Sequence, residues 1–382
     1  MTDRVETGEL RALDGGALDV VVVGGGPAGS MTARELARRG IGVLLVEKRE
    51  MPRWKVCGAC VGALGARTLA RVGLGGLLGS IGARELAGVE VYAGERRARV
   101  GLHGMASVSR GALDAALVSE AAAEGARVVT GVIAARSDGG NVLLRTGETR
   151  VEVVARAVVL ACGLGSGAAW GLGEARVRDA SWIGVGTVTE WDRRVGDGSG
   201  LVMLVGRRGY LGCARLEDGR ANWAAAVDPE AVRAAGSVEE ALRGVCAEAG
   251  MDASVVPGEG WKGTPRLTRV GCVEHGGTYA VGDAAGYVEP ITGEGISWAM
   301  AGGVALGEHL AGALTHELEP GSWARQWRRM MRVRRARCAL VAQTLRHPGV
   351  VSGAVAALGW RPALGGVVVA GLIGSGAREE VA

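Results

Sequence analysis

The stretch Asp19–Glu47 reads DVVVVGGGPAGSMTARELARRGIGVLLVE and decides the fold. Its first residues, Asp19–Val23, form a short, almost entirely apolar run that is typical of a buried parallel strand. Glycines then turn the chain, Ser30–Arg39 carries apolar residues at helical spacing, and Ile41–Val46 is a second buried strand. Gly40 suits the left-handed residue that ends a helix. The stretch therefore predicts a strand–helix–strand unit of a parallel sheet.

The loop between the first strand and the helix has the spacing G-x-G-x-x-G. The first glycine permits the turn, the second lets the backbone approach a diphosphate, and the third lets the helix pack on the strand. Unpaired N–H groups at the helix N-terminus attract the anion. Glu47 ends the second strand, where an acid hydrogen-bonds the ribose of an adenine dinucleotide and disfavours a 2′-phosphate. The residues predicted to hold the diphosphate are Gly24, Gly26, Pro27, Ala28 and Gly29.

A second signature, YAVGDAAGYVEPITGEGI, occupies Tyr279–Ile296. A strand that ends in Gly282-Asp283 can place a carboxylate on a polyol such as the ribityl chain of a flavin. The turn Gly293–Ile296 opens a helix whose N–H groups would stabilise the negative charge of a reduced flavin by ~1 kcal/mol. A nicotinamide-dependent dehydrogenase would instead continue with further strand–helix repeats. The second signature therefore favours FAD over NAD as the bound dinucleotide.

Three motifs together resemble those of FAD-dependent oxidoreductases with the p-hydroxybenzoate hydroxylase-like fold, nearest the geranylgeranyl reductase family. They are VVVGGGPAGS followed by VEK, PRWKVCGAC at Pro52–Cys60, and VGDAAGYVEPITGEGI at Val281–Ile296. The resemblance implies that Arg110 contacts FAD near its diphosphate and that the backbone of Val132 faces the adenine. The other residues that it assigns to the cofactor are Glu47, Lys48, Lys55, Cys57, Gly58, Gly282, Asp283, Pro290, Gly293, Glu294, Gly295 and Ile296.

The middle motif separates the branches of this fold. Lys55–Gly58 resembles a K-x-C-G segment that reductases place beside the isoalloxazine ring, whereas halogenases of similar fold tend to carry a Gly-Glu-Ser type segment. Cys57 and Cys60 also form a C-x-x-C pair, for which we consider three interpretations. No second Cys or His pair has ligand spacing, so we predict no metal. The pair is either a redox dithiol, or Cys57 lines the flavin pocket and Cys60 is a packed core residue.

The sequence also bears on the electron donor and the proton donor of the reaction. Hydroxylases of this fold often carry an Asp-Gly motif after a strand, but Cys162 stands in the Asp position here. We therefore expect NAD(P)H, or another external reductant, to bind transiently at the flavin face. Tyr210 and Tyr287 are candidate proton donors. Cys57 and Tyr287 are the predicted catalytic residues.

Composition limits the partners. The 382 residues carry 44 basic and 40 acidic side chains, a net charge of +4, without a basic tract interleaved with aromatics, which excludes a nucleic-acid partner. The seven cysteines lack a secreted-scaffold spacing, and the sequence predicts neither a signal peptide nor a transmembrane segment, so we expect a cytoplasmic protein. The stretch Arg325–Arg337 could instead hold the protein at an anionic membrane surface or an acidic carrier protein that presents the substrate; a solvated helix face is the alternative.

The expected fold is α/β with an α+β insert. A discontinuous Rossmann-like FAD-binding domain would comprise residues 14–87, 103–177 and 269–320. An inserted antiparallel β-sheet substrate domain would comprise residues 88–102 and 178–268, and residues 321–382 would form a helical C-terminal tail. Within the tail we expect helix breaks at Pro348 and Pro362.

Three functions remain open. The first is an FAD-dependent reductase that transfers hydride from N5 of the flavin to an activated C=C bond of an apolar substrate, prenyl or polyketide-like. The second is an FAD- and NAD(P)H-dependent aromatic monooxygenase. The third is an FAD-binding redox carrier or sensor that uses Cys57 and Cys60.

Overall fold

The computed structural model describes residues 10–101, 103–165, 167–289, 291, 293–315 and 321–360. Helices α1 to α9 span Pro27–Ala37, Ala63–Arg71, Leu77–Ser80, Arg110–Ala123, Pro229–Ala235, Val238–Glu248, Gly295–Thr315, Ser322–Thr344 and Pro348–Trp360. Strands β1 to β20 span Ala17–Val23, Val43–Glu47, Cys60–Val61, Arg84–Glu85, Gly88–Ala93, Arg96–Gly101, Ala106–Ser107, Arg127–Thr130, Ile133–Arg136, Val142–Thr146, Thr149–Leu160, Arg176–Val177, Ile183–Thr189, Leu201–Gly206, Gly209–Arg215, Ala221–Val227, Lys262–Arg266, Arg269–Val270, Glu274–His275 and Thr278–Ala280.

The parallel sheet is built around the first stretch of the sequence. Its strands run in the order β20-β11-β1-β2-β8, all parallel, with β19 antiparallel at one edge. Val20–Val22 of β1 are fully buried, as expected for a strand that is covered on both faces. Strand β11 takes part in two pairings, since its first half pairs antiparallel with β10 and its second half pairs parallel with β1. The predicted strand–helix–strand unit is confirmed.

A second sheet of seven strands has the order β17-β13-β16-β15-β14-β5-β6. Strands β5 and β6 form a hairpin that extends this sheet at one edge. The predicted antiparallel arrangement holds except at one place, because β14 and β5 pair parallel. Helix α9 lies against β5 and β6, so a C-terminal element covers part of the sheet.

Most of the stretch between Asp228 and Gly250 is helical, with one interruption. The chain forms two helices, α5 and α6, because Gly236 adopts a left-handed conformation (φ 84°) and the Ser237 side chain accepts the Glu240 N–H as a new N-cap. In the tail, Pro348 begins helix α9 as expected. The break expected at Pro362 lies outside the described residues.

Helix α7, which follows the second signature, packs against helix α1, which follows the first glycine loop. An ideal Cβ on Gly303 would lie 2.3 Å from the carbonyl oxygen of Ala28, and one on Gly307 would lie 2.6 Å from Cβ of Glu35. The Thr32 hydroxyl, on α1, donates to the Gly303 carbonyl at 3.1 Å. Helices α1 and α7 therefore touch through their backbones, and the two signatures are held side by side.

Candidate functional site

The first glycine loop is closed on one side and open on the other. Gly24 has φ 112°, and an ideal Cβ there would lie 2.6 Å from the Ala161 carbonyl oxygen. A Cβ on Gly29 would lie 1.9 Å from the Gly24 carbonyl oxygen. Gly26 differs, since the atoms nearest to its ideal Cβ are the guanidinium tips of Arg110 (3.4 Å) and Arg53 (3.8 Å). The open side of the loop therefore faces two cations.

A buried network of charges holds these two arginines. Arg110 donates two hydrogen bonds to the Asp114 carboxylate, at 2.8 and 2.7 Å, from one turn earlier on α4. Arg53 bridges Asp114 and Glu47, at 3.1 Å to each. Asp114 is fully buried, and the Arg53 side chain is 12% exposed. Sequence reasoning found Arg110 but missed Arg53 and Asp114, although Arg53 stands inside the quoted motif PRWKVCGAC.

Glu47 is fixed beside the loop by its own hydrogen bonds. Its carboxylate accepts the N–H groups of Gly25 at 2.9 Å and Arg49 at 3.0 Å. Its carbonyl oxygen accepts the Val132 N–H at 3.1 Å. Lys48 is exposed. The structure thus brings the predicted adenine-side residues Glu47 and Val132 together.

The second signature meets the first at Gly282. An ideal Cβ on Gly282 (φ 64°) would lie 3.0 Å from Cβ of Ala28, at the N-terminus of α1. Burial raises the pKa of the carboxyl of the next residue, Asp283, and the charges of Lys55 and Arg110 partly offset this rise. Desolvation, and then the neighbouring Arg110 charge, lower the pKa of Lys55, while Asp283 acts in the opposite direction. The charges of Lys55 and Arg110 therefore act on Asp283, and we call the region between these three side chains the cleft.

The middle motif lies between the two sheets. Asn222, on β16, donates its side-chain N–H to the Cys57 carbonyl at 2.9 Å, and Val56 packs against Gly186 on β13. Gly58 is exposed, and Cys57 is half-buried. The segment Lys55–Gly58 thus contacts the seven-stranded sheet, while the charge of Asp283, in the turn after β20 of the parallel sheet, acts on Lys55.

Cys60 has the surroundings of a core residue. It is 3% exposed on β3, and burial raises the pKa of its thiol to about 12. Its Sγ donates to the Gly58 carbonyl at 3.2 Å. All seven cysteines lie in the described part of the chain, and each is a free thiol. A thiol that stays protonated at neutral pH is a poor partner for disulfide exchange.

The start of α7 adjoins the middle motif. An ideal Cβ on Gly293 (φ 70°) would lie 3.2 Å from Cβ of Cys60. Glu294 is buried, accepts the Trp298 indole N–H at 3.1 Å, and has a pKa that burial raises to about 7. Gly295 begins the helix and Ile296 is 4% exposed. The predicted residue Pro290 lies outside the described residues.

Tyr287 is placed between the cleft and the seven-stranded sheet. Its backbone exchanges two hydrogen bonds of 2.9 Å with Arg269. Burial, and then the charges of Asp283 and Cys57, raise the pKa of its hydroxyl well above 10. Its ring belongs to an apolar cluster that also includes Trp182 and Tyr210. The two predicted catalytic residues, Cys57 and Tyr287, therefore lie near enough for the charge of Cys57 to act on Tyr287, and their catalytic roles stay predictions.

The arginine-rich stretch forms helix α8, and its side chains point in two directions. Arg325, Arg328, Arg329, Arg332 and Arg337 are exposed, next to the exposed apolar side chains of Val333 and Leu340. Arg334 and Arg335 turn inward, and desolvation lowers the pKa of Arg335. Binding of this face to an anionic membrane or an acidic carrier protein stays a prediction.

The described part of the chain holds neither a metal-binding cluster nor a membrane-spanning helix. Within residues 10–101, 103–165, 167–289, 291, 293–315 and 321–360, side chains of His, Cys, Asp and Glu form no cluster of three or more with the geometry of a metal site. The helices within those ranges are each too short or too polar to cross a bilayer.

The arrangement fits a flavin dinucleotide. The glycine loop is packed so tightly on one side that no Cβ would fit there, and two arginines lie on its open side. Together with the acid at the end of β2, the loop suits the ADP half of the dinucleotide. Asp283 and the N-terminus of α7 continue the same surface toward the middle motif. The class defined by this fold and site is that of flavin-dependent oxidoreductases with the p-hydroxybenzoate hydroxylase-like fold.

Sequence comparison defines the family. The family model described as "FAD binding domain" matches residues 17–321, well over half of the chain, and the protein belongs to that family. No curated relative matches the chain.

Solved structures share the fold at low sequence identity. A flavoprotein/dehydrogenase from Cytophaga hutchinsonii has a TM-score of 0.79 and 19% identity, covering 94% of this chain and 93% of the other. A myxobacterial chondrochloren halogenase has a TM-score of 0.74 and 22% identity, covering 85% and 82%. A geranylgeranyl bacteriochlorophyll reductase-like protein from Thermoplasma acidophilum has a TM-score of 0.74 and 21% identity, covering 89% and 90%. The expected fold class is confirmed.

Proposed function

We propose that the protein is an FAD-dependent reductase of an activated C=C bond in an apolar, prenyl or polyketide-like substrate. The observation that carries this proposal is the position of Lys55–Gly58. This reductase-like segment contacts the seven-stranded sheet through Asn222, and its Lys55 lies near enough to Asp283 for each charge to shift the pKa of the other. A substrate held at that junction would lie against the reactive end of the coenzyme.

The chain's own residues divide the work of binding. Arg53 and Arg110 would hold the diphosphate, Glu47 the adenosine ribose, and Asp283 the ribityl chain. FAD, once reduced by NAD(P)H or another external reductant, would supply the hydride. The N-terminus of α7 would favour the negative charge of the reduced ring. The apolar cluster around Trp182 would exclude water from the substrate, and the Tyr287 hydroxyl would provide the proton.

Anaerobic reoxidation tests this proposal. The purified flavoprotein is reduced with NADH or NADPH without oxygen, and α,β-unsaturated prenyl and polyketide-like compounds are added. We expect flavin absorbance to return with a saturated product. Reoxidation by oxygen alone would contradict the proposal. Asp283→Ala should retain less FAD, whereas the exposed variant Asp197→Ala should retain as much as the wild type.

An aromatic monooxygenase is the second candidate function. The observation in its favour is the aromatic lining of the cluster, where the rings of Trp182 and Tyr210 lie 6.1 Å apart and Tyr287 is a neighbour. Such a surface suits an aromatic ring. Consumption of NAD(P)H and oxygen on adding an aromatic compound, with a product that gains one oxygen atom, would favour this candidate over the reductase.

A further inference from the structure

Helices α8 and α9, with the turn between them, concentrate the positive charge of the protein. Residues 321–360 contain eight arginines and neither aspartate nor glutamate, which leaves 36 of the 44 basic side chains and all 40 acidic ones for the rest of the chain. The segment therefore carries a formal charge of +8 and the remainder a charge of −4. A charge asymmetry of this size favours an anionic partner for this one segment.

The inward face of α8 is fixed against the rest of the protein. The indole N–H of Trp323 donates to the Ala280 carbonyl at 3.0 Å, and the thiol of Cys338 donates to the Glu289 carbonyl at 3.0 Å. Trp327, one turn after Trp323, is 2% exposed. Because these contacts lie near both ends of the helix, they determine which of its side chains face outward.

The outward face of α8 combines arginines with aliphatic side chains. Its exposed residues are Arg325, Arg328, Arg329, Arg332, Val333, Ala336, Arg337, Leu340 and Gln343. Leu340 (65%) and Val350 (57%), on either side of the turn into α9, are the two most exposed large apolar side chains of the described ranges. Within those ranges the guanidinium groups of Arg329 and Arg332 pair with no carboxylate. The face therefore leaves both charge and apolar surface uncovered.

The composition of this face distinguishes between the possible anionic partners. Protein partners are held largely by aromatic anchors, and single-stranded nucleic acids by stacking on aromatic rings. The aromatic residues of α8, Trp323 and Trp327, are both buried on its inward face. An anionic bilayer needs no such anchors, because its surface charge attracts arginines and its headgroup region takes up aliphatic side chains. The outward face of α8 therefore fits a lipid surface best.

The same helix lies directly against the second signature. The guanidinium group of Arg335 packs against Gly286, and Cys338 bonds to Glu289, so these contacts lie on both sides of Tyr287. An α-helix with its side chains is about 10–12 Å wide. The outward face of α8 is thus separated from the Tyr287 segment by roughly one helix diameter.

We propose that the outward face of α8 docks on an anionic lipid surface and that the apolar substrate enters the site from that surface. The entry of the substrate rests on the proposed reductase function, whereas the docking does not. The arginines lie at the level of the headgroups, and Leu340 inserts between them. The cleft then lies beside the membrane in which a prenyl or polyketide-like compound dissolves.

Sedimentation with lipid vesicles tests the docking. The FAD-loaded protein is mixed with vesicles of phosphatidylcholine and phosphatidylglycerol in equal parts, or of phosphatidylcholine alone. We expect binding to the anionic vesicles only, and weaker binding as NaCl rises from about 0.1 M to about 1 M, where the Debye length shrinks from ~10 to ~3 Å. Equal binding to both kinds of vesicle, or binding to neither, would overturn the proposal.

Paired variants locate the binding surface. Arg329→Gln with Arg332→Gln should weaken binding to the anionic vesicles by roughly 30-fold. The matched control is Arg145→Gln with Arg150→Gln, which removes two exposed arginines that face each other across β10 and β11, and it should bind as the wild type does. Equal effects of the two pairs would mean that only net charge matters and would overturn the proposal.

The aliphatic part of the surface has its own test. Leu340→Ser should weaken vesicle binding by roughly threefold or more, whereas Val154→Ser, at a site that is 48% exposed on β11, should not. If an acidic acyl carrier protein binds through Arg329 and Arg332 and anionic vesicles do not bind, the partner is a protein and the proposal is wrong.

Kinetics test the entry of the substrate. A prenyl alkene is supplied either in anionic vesicles or in neutral detergent micelles, and anaerobic reoxidation of the reduced flavin is followed. The Arg329→Gln, Arg332→Gln variant should be slower by roughly 10-fold or more with vesicles and unchanged with micelles. FAD content and thermal midpoint are measured in parallel. An equal loss of rate in both media would overturn the proposal.

The failures of the two proposals are distinguishable. If anionic vesicles are bound as expected and no alkene reoxidises the flavin in either medium, the reductase function is wrong and the docking surface stands. If an alkene in micelles reoxidises the flavin and anionic vesicles are not bound, the reductase function stands and the docking surface is wrong.

Discussion

Replacing Asp114 by Asn removes the negative charge that the two arginines of the cleft share. In the structure, Asp114 accepts two hydrogen bonds from Arg110 and lies 3.1 Å from Arg53, with no exposed surface. Removing one partner of such a buried network costs about 3–5 kcal/mol of unfolding free energy, because the remaining charges stay buried and uncompensated. The effect should be large in the protein without FAD.

The corresponding shift in melting temperature follows from the size of the chain. At about 2.1 cal/mol/K per residue, the unfolding entropy of 382 residues is roughly 0.8 kcal/mol/K. A loss of 3–5 kcal/mol therefore lowers the thermal midpoint by roughly 4–6 °C. With FAD bound, the diphosphate would supply the missing negative charge, so we expect less than half of this shift. Thermal unfolding with FAD removed and with FAD in excess measures both values.

Asp192→Asn is the matched control. Asp192 also pairs with an arginine, Arg194, at 2.6 Å, but the side chains are 32% and 57% exposed. Exposed pairs of this kind contribute about 0–1 kcal/mol, so the midpoint should hardly move. An equal loss for Asp114→Asn with and without FAD would refute the placement of the diphosphate beside Arg53 and Arg110. No loss in either state would refute the buried network itself.

Three further predictions concern packing, redox chemistry and pH. Gly303→Ala should destabilise the protein strongly because its Cβ would meet the Ala28 carbonyl, whereas Gly312→Ala, with open space in the same helix, should stabilise it by about 0.5–1 kcal/mol in thermal or urea unfolding. Cys60→Ser should leave the flavin absorption spectrum unchanged, since a thiol with a pKa of about 12 stays protonated. If the spectrum of the wild type changes with added reductant and that of Cys60→Ser does not, the redox-carrier function is supported instead. The Glu294 carboxyl has a pKa of about 7 in the folded protein, compared with an ordinary value of 4.5. The folded state therefore binds a proton more tightly than the unfolded state, and stability is lost as the pH rises from 4.5 through 7. Glu294→Gln should remove this loss, which amounts to roughly 2.5 kcal/mol between pH 5 and pH 8, measured as the difference in unfolding free energy between the two pH values.

The outcomes that contradict these predictions are equally specific. Equal stability of the two glycine variants would mean that α1 and α7 do not touch at Gly303. A pH dependence of Glu294→Gln that matches the wild type would mean that the Glu294 carboxyl is hydrated in the fold.

The parts of the site that sequence predicted are those where the backbone dictates the residue type. Gly24 and Gly282 have positive φ, and a Cβ at Gly29 would clash with a carbonyl, so glycine is required and visible as a motif. Glu47 was found because its distance from the loop is set by one helix and one strand. Such local requirements leave a pattern in the sequence.

The parts that sequence missed depend on contacts between distant segments. Arg53 meets Asp114 only after α4 packs beside the first loop, and Glu289 meets Arg346 across 57 residues. The parallel pairing of β5 with β14 likewise joins segments about a hundred residues apart. By contrast, the break at Gly236 between α5 and α6 had a local signal, Gly followed by the N-cap Ser237.

The backbone contact between α1 and α7 limits how the protein can be altered. A methyl group at Gly303 or Gly307 would clash with α1. Neither helix can therefore be replaced by that of a relative unless the other helix is replaced as well. A chimera that joins the N-terminal third of this chain to a foreign remainder would place mismatched surfaces there and fail to assemble. Anyone engineering a new coenzyme preference should therefore transplant both helices as a unit and confine diversity to the seven-stranded sheet.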